Sequence, residues 1–161
     1  MVRTPITHGK MSNGLAAYGA WSEALQRDGD FPKANVDVLR DRYMVHTGAT
    51  RVVAEGRWYA ARFLEEVAEH EPTMAEDLTA ALACYEAEHD LMWEAWHLVG
   101  YEADSPLLWH DWTFTRVDQL DTYASTFARP DVRRQIVSLI YQAQAKDAEA
   151  IGHVERALEA G

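Results

Sequence analysis

Apolar residues recur along this chain at intervals of three and four, and no stretch alternates apolar and polar residues as a half-buried strand would. Ala, Leu and Glu, which favour helices, far outnumber Val and Ile. The spacing predicts helices over about 12–27, 35–48, 49–70, 73–100, 115–128 and 130–160. A chain of 161 residues is long enough to bury one core. We therefore expect an all-α fold, a single helical bundle of about four long and two shorter helices over 1–161, with 1–11 as a flexible N-terminal tail.

The predicted helix ends depend on a few local signals. Asn35 is a good capping residue, and Pro130 suits the first turn of a helix. Thr73 followed by Glu76 has the spacing of a capping box. Thr47-Gly48 either ends the second helix or kinks it.

Charge and cysteine content restrict the classes of partner. The chain carries 15 basic and 26 acidic residues, a net charge of −11, which argues against binding nucleic acid or an anionic membrane. No run approaches the roughly 20 apolar residues of a membrane span, and the N-terminus does not resemble a signal peptide. Cys84 is the single cysteine, so no intrachain disulfide can form. We expect a cytoplasmic protein in which Cys84 is a buried, inert thiol.

The segment 82–100 carries the most informative polar pair. Its apolar stripe is predicted to include Tyr85 and Trp96, and Glu86 and His89 fall on the same stripe, three residues apart on one helix. Facing a core, both polar side chains need partners. Candidates on other predicted helices are Glu55, Asp147 and His46.

Three interpretations of this polar site stay open. The leading one is a small-molecule site, in which His89 oriented by Glu86 acts as general acid/base if the protein is an enzyme. Aromatic residues would wall and cover that site: Trp93, Trp96, Trp58, Tyr59 and Tyr85 from the helices, with Trp109, His110 and Trp112 from an apolar loop at 101–113. The leading interpretation requires no cofactor.

The second interpretation is a ferritin-like carboxylate/histidine centre for Fe, Mn or Zn, with Glu86, His89, Glu55, Asp147 and His46 as ligands. It lacks a second Glu-x-x-His motif, since Glu149 and His153 are four residues apart and are expected to face solvent. The third is an interaction or regulatory module, in which the same polar side chains only satisfy one another.

Exposed aromatic residues could also serve as anchors in a homodimer, and Trp21 is the candidate that the sequence offers.

Several short motifs resemble a known family. They are Val53–Ala68 (VAEGRWYAARFLEEVA), Gly14–Trp21 (GLAAYGAW), Tyr85-Glu86 with Trp93, and Lys146–Ile151 (KDAEAI). Together they resemble the C-terminal helical region of papain-fold proteins of the butirosin-biosynthesis H type. Nothing here matches that family's peptidase-like domain with its cysteine and histidine, so its chemistry is carried to no residue. The resemblance implies a free-standing helical region whose polar interior handles a small ligand.

Overall fold

The computed structural model describes residues 12–100 and 118–161, and these form an all-α helical bundle. Its five α-helices are α1 (Leu15–Gln26), α2 (Val36–His70), α3 (Ala75–His97), α4 (Leu120–Phe127) and α5 (Pro130–Ala160). A short 3₁₀ helix, Asp28–Asp30, follows α1. The predicted tail at 1–11 and apolar loop at 101–113 lie outside the described residues.

Helix α2 is longer than predicted, because the two helices expected on either side of Thr47-Gly48 are one helix of 35 residues. A glycine inside a helix costs only about 1 kcal/mol, and packing outweighs that cost here. The core face continues through the junction, with Tyr43, Thr47 and Ala54 all buried. The described bundle therefore has three long helices and two short ones instead of four long and two short.

The other helix ends follow their local signals to different degrees. The Asn35 side chain accepts a hydrogen bond from the backbone N–H of Val38 at 3.2 Å, and Pro130 occupies the first turn of α5, as predicted. The Thr73 capping box is wrong, because Met74 takes the capping position of α3 and gives no side-chain bond. Gly100 ends the turn after α3 with a φ of 97°, a left-handed conformation that favours glycine.

Helix α3 lies between α2 and α5 and packs against both. Close contacts join α2 to α3, α3 to α5 and α1 to α5, while α4 packs on α2. The larger apolar cluster contains Met92 and Trp96 of α3 together with Ile136 and Ile140 of α5, all nearly inaccessible to solvent. The smaller cluster lies further along the bundle and is rich in alanine, which lets the helices approach closely. It consists of Ala61, Leu64, Leu78, Ala81, Cys84, Tyr85, Ala150 and Ala157. Within residues 12–100 and 118–161, no helix combines the length and apolar character needed to cross a membrane.

Candidate functional site

A layer of buried and partly buried polar side chains separates the two apolar clusters. Helix α2 contributes Arg57, which lies between Ala54 of the larger cluster and Ala61 of the smaller one. Glu88 occupies the corresponding turn of α3 and Asp147 that of α5. Tyr18 of α1 completes this group, which we call the polar layer: Tyr18, Arg57, Glu88 and Asp147. Each of the four comes from a different helix, so the layer forms only when all four helices are packed together.

The hydrogen bonds within the polar layer are specific. The Arg57 guanidinium donates from Nε to Glu88 Oε2 at 2.7 Å and from Nη2 to Asp147 Oδ2 at 2.8 Å. The Tyr18 hydroxyl donates to Glu88 Oε1, and it lies 3.3 Å from both Asp147 Oδ2 and Arg57 Nη2. Both carboxylate oxygens of Glu88 are therefore bonded, whereas buried Asp147 Oδ1 has no partner among the residues that the structure describes.

The electrostatics of the layer are unbalanced, because one guanidinium faces two carboxyl groups. Burial raises the pKa of Glu88 to about 7, the negative charge of Asp147 adds to this effect, and Arg57 opposes it. Burial and the neighbouring Glu88 also raise the pKa of the Tyr18 hydroxyl. With Glu88 protonated the layer is neutral, so it can exchange a proton near neutral pH.

Of the predicted polar site, the structure places only Asp147 in this layer. Glu86 is 43% exposed and pairs with Arg62, while Glu55 pairs with Arg51 one turn before it on α2. The buried carboxylate of α3 is Glu88, which lies about 200° around the helix from Glu86. The prediction that Glu86 lies on the core-facing stripe of the helix is therefore wrong, since the core face passes through Cys84, Glu88 and Met92.

His89 is buried as predicted, but its partners differ from those expected. Its Nδ1 lies 3.0 Å from Asp90 Oδ1, and its ring lies 5.4 Å from that of Trp58. The proposed pairing of His89 with Glu86 is not among these contacts. A general acid/base role for His89 stays a prediction.

His46 is also buried, in aromatic surroundings. Its ring stacks on Phe127, with centroids 4.5 Å apart, and lies 5.4 Å from the ring of Trp21. Neither ring nitrogen has a hydrogen-bond partner within the described part of the chain. Burial lowers the pKa of His46 to about 3, so the ring stays neutral at physiological pH. Trp21, expected as an exposed anchor for a homodimer, packs against the core instead.

Three residues of the predicted aromatic wall, Trp58, Trp93 and Trp96, form a chain of ring contacts that passes through His89, with successive centroids 5.4, 6.4 and 5.5 Å apart. Trp96 and Tyr85 are core residues of different clusters, and Trp93 packs on Trp96 with ring centroids 5.5 Å apart. Trp58 is half-buried beneath the guanidinium of Arg62, and Tyr59 is 52% exposed. That these five wall one ligand cavity stays a prediction. Trp109, His110 and Trp112, their predicted cover, lie outside the described residues.

The predicted metal ligands are not assembled. Across residues 12–100 and 118–161, one group of three candidate ligands has its donor atoms within 4.8 Å of one another, and it consists of Cys84, Glu149 and His153. None of these was a predicted ligand. The expectation that Glu149 and His153 both face solvent is wrong for His153, which is 22% exposed because it packs beside Asp77 of α3.

A groove between α1 and α2 reaches the polar layer from the surface. It has a volume of about 470 Å³, and the described residues that line it are Gly14, Ala17, Tyr18, Trp21, Gly48, Ala49, Val52 and Val53. None of these side chains is charged, and the glycines and alanines leave space between the helices. Tyr18 belongs to both features, because its side chain lines the groove and its hydroxyl bonds Glu88.

Comparison with protein-family models, curated proteins and solved structures finds no match to this chain. The resemblance to the butirosin-biosynthesis H type therefore stays a prediction.

Proposed function

We propose that this protein binds a small, neutral, largely apolar molecule in the groove between α1 and α2. The observation that carries the proposal is Tyr18, whose side chain lines an uncharged groove while its hydroxyl bonds a buried carboxyl group of raised pKa. Small-molecule sites are typically apolar clefts of about 300–1,000 Å³ with a few well-placed polar groups. The groove has this size and composition.

The lining residues favour a neutral and partly aromatic ligand. A charged ligand would lose hydration in the groove without meeting an opposite charge on the eight described lining residues. Tyr18 and Trp21 offer aromatic surface for stacking. A ligand over Tyr18 would further exclude water from the polar layer, and this would favour the protonated form of Glu88. Binding and proton uptake are therefore coupled in this proposal.

Filling the groove tests the proposal. A Cβ built on Gly48 meets no heavy atom within 4 Å, so the side chain of Gly48→Leu can start into the groove from open space. Gly56→Leu is the matched control on α2, since Gly56 also has open space but is not among the groove-lining residues. Both changes replace a helical glycine, so both stabilise α2 by a similar amount, about 1 kcal/mol.

The probe is the neutral dye N-phenylnaphthylamine, whose fluorescence rises in apolar surroundings. The wild-type protein and Gly56→Leu should bind the dye with equal affinity, whereas Gly48→Leu should bind it at least about tenfold more weakly, a loss of about 1.4 kcal/mol. Equal binding by all three proteins would refute the groove as the site. Binding should also raise the thermal midpoint of the wild-type protein.

A further inference from the structure

Cys84 lies on α3, and Glu149 and His153 lie on α5. The three side chains meet where these two helices pack against each other, apart from the groove between α1 and α2. Cys84 is 5% exposed within the smaller apolar cluster, and its sulfur lies within 4.8 Å of a Glu149 carboxylate oxygen. Glu149 and His153 are four residues apart on α5, so they share one face of that helix. The three side chains thus converge from two helices, with a route to solvent past exposed Glu149.

We propose that Cys84, Glu149 and His153 form a binding site for a Zn²⁺-class divalent cation. A thiolate, an imidazole and a carboxylate are a donor set that suits Zn²⁺, with water in the fourth position. In a tetrahedral zinc site neighbouring donor atoms are about 3.5 Å apart. The donors here lie within 4.8 Å, so rotamer adjustments of these side chains would complete the geometry.

Neighbouring side chains already orient two of the three ligands. His153 Nδ1 lies 2.9 Å from Asp77 Oδ1 and also contacts Arg156 Nη2, so Nε2 is the nitrogen left for a metal. A carboxylate beside a ligating histidine is the usual second layer of a zinc site. Lys146 Nζ holds Glu149 Oε2 at 2.7 Å, so Oε1 is the carboxylate oxygen left for coordination.

The net charge of the site favours cation binding only when the Cys84 thiol loses its proton. Without metal, Glu149 and Asp77 are balanced by Lys146 and Arg156, and the Cys84 thiol is neutral. Burial raises the pKa of this thiol, so it stays protonated until a cation replaces the proton. Binding forms a metal–sulfur bond, breaks the S–H bond and releases the proton to solvent.

Co²⁺ is the test probe, because a thiolate bound to Co²⁺ gives a charge-transfer absorption in the near ultraviolet. Cys84 is the single cysteine of the sequence, so such a band reports on this site alone. Titration of the full chain, freed of metal with a chelator, should give the band with saturation at one Co²⁺ per chain. Zn²⁺ should then abolish it by displacement.

Variants separate this site from adventitious binding. Cys84→Ser should lose the band, and His153→Gln should lower Co²⁺ affinity at least about tenfold. Asp77→Asn should lower it about 10- to 100-fold, as loss of an outer-layer partner does. Exposed His97 on α3 gives the control His97→Gln, which should match the wild type. Far-ultraviolet circular dichroism checks that each variant is folded.

A folded wild-type protein without a thiolate band would overturn the proposal, and so would equal affinities of wild type and His153→Gln. Since His153 and Asp77 are only partly buried, their variants keep the test decisive even if Cys84→Ser unfolds.

Discussion

Of the polar layer, Glu88 should have the largest effect on how the unfolding free energy depends on pH. The substitution Glu88→Gln tests this effect. The glutamate side chain is fully buried, and its pKa is about 7 instead of the 4.5 of an exposed glutamate. Its ionisation therefore costs about 3 kcal/mol more in the folded protein than in the unfolded chain. This contribution to stability is complete below pH 4.5 and is lost as the pH rises through 7.

The glutamine side chain of the Glu88→Gln variant would keep the layer bonded while removing the titration. Its amide oxygen can accept from Arg57 Nε, and its amide nitrogen can donate to the Tyr18 hydroxyl. That hydroxyl can then turn toward Asp147 Oδ2, which lies 3.3 Å away. Between pH 5 and pH 8, the unfolding free energy of the variant minus that of the wild type should rise by about 2–3 kcal/mol.

The variant and the wild type must be compared at each pH, because the titration of His46 changes the unfolding free energy in the direction opposite to that of Glu88. Its pKa is lowered from 6.5 to about 3, so the unfolded chain takes up a proton that the folded protein does not. This destabilises the fold as the pH falls below 6.5. The two slopes oppose each other between pH 5 and 6.5, and the wild-type curve alone would show little of either.

Urea unfolding followed by tryptophan fluorescence at pH 5, 6, 7 and 8 measures the free energies. Glu86→Gln is the matched control, two residues away on α3 and half-exposed, and it should leave the Glu88-dependent slope in place. If the difference between Glu88→Gln and the wild type is the same at pH 5 and pH 8, the assignment of a raised pKa to Glu88 is refuted.

Two further predictions concern His46 and Tyr18. His46→Phe should keep the stacking on Phe127 and remove two unbonded ring nitrogens. As the pH falls from 8 to 5, the unfolding free energy of the variant minus that of the wild type should rise by about 2 kcal/mol, and a constant difference in urea titrations would contradict this. Tyr18→Phe removes a hydrogen bond that lowers the pKa of Glu88, so the loss of stability should move to higher pH. Urea unfolding of Tyr18→Phe at pH 6 to 9 checks this. If its unfolding free energy falls over the same pH range as that of the wild type, the prediction is refuted.

The sequence predicted the helices well because their periodicity is regular, and it predicted Asp147 because this residue interrupts the apolar stripe of a long amphipathic helix. The same reasoning failed on α3. That helix is apolar around much of its circumference, so its stripe can be drawn through Glu86 or, on nearly the opposite side of the helix, through Glu88. The better signal was the set of neighbours one turn away, since Glu88 lies between Cys84 and Met92, both apolar.

Arg57 and Tyr18 were missed for a different reason. An arginine on a mostly polar helix face resembles a surface residue, although the small residues Ala54 and Ala61 beside it indicate close packing. Tyr18 resembles any core aromatic residue of an amphipathic helix. Which buried hydroxyl meets which carboxylate depends on how the helices face one another, and periodicity along one helix contains no information about that.

The members of the polar layer differ in what the fold requires of them. Arg57, Glu88 and Asp147 join the three long helices, and sliding one helix by a turn of about 5.4 Å would leave buried charges unpaired. We therefore expect these three residues to favour the observed register of α2, α3 and α5. Tyr18 is not needed for that register, because Arg57 already bonds both carboxylates. Its hydroxyl instead links the layer to a groove open to solvent, and this makes Tyr18 the residue at which a structural network becomes a candidate binding site.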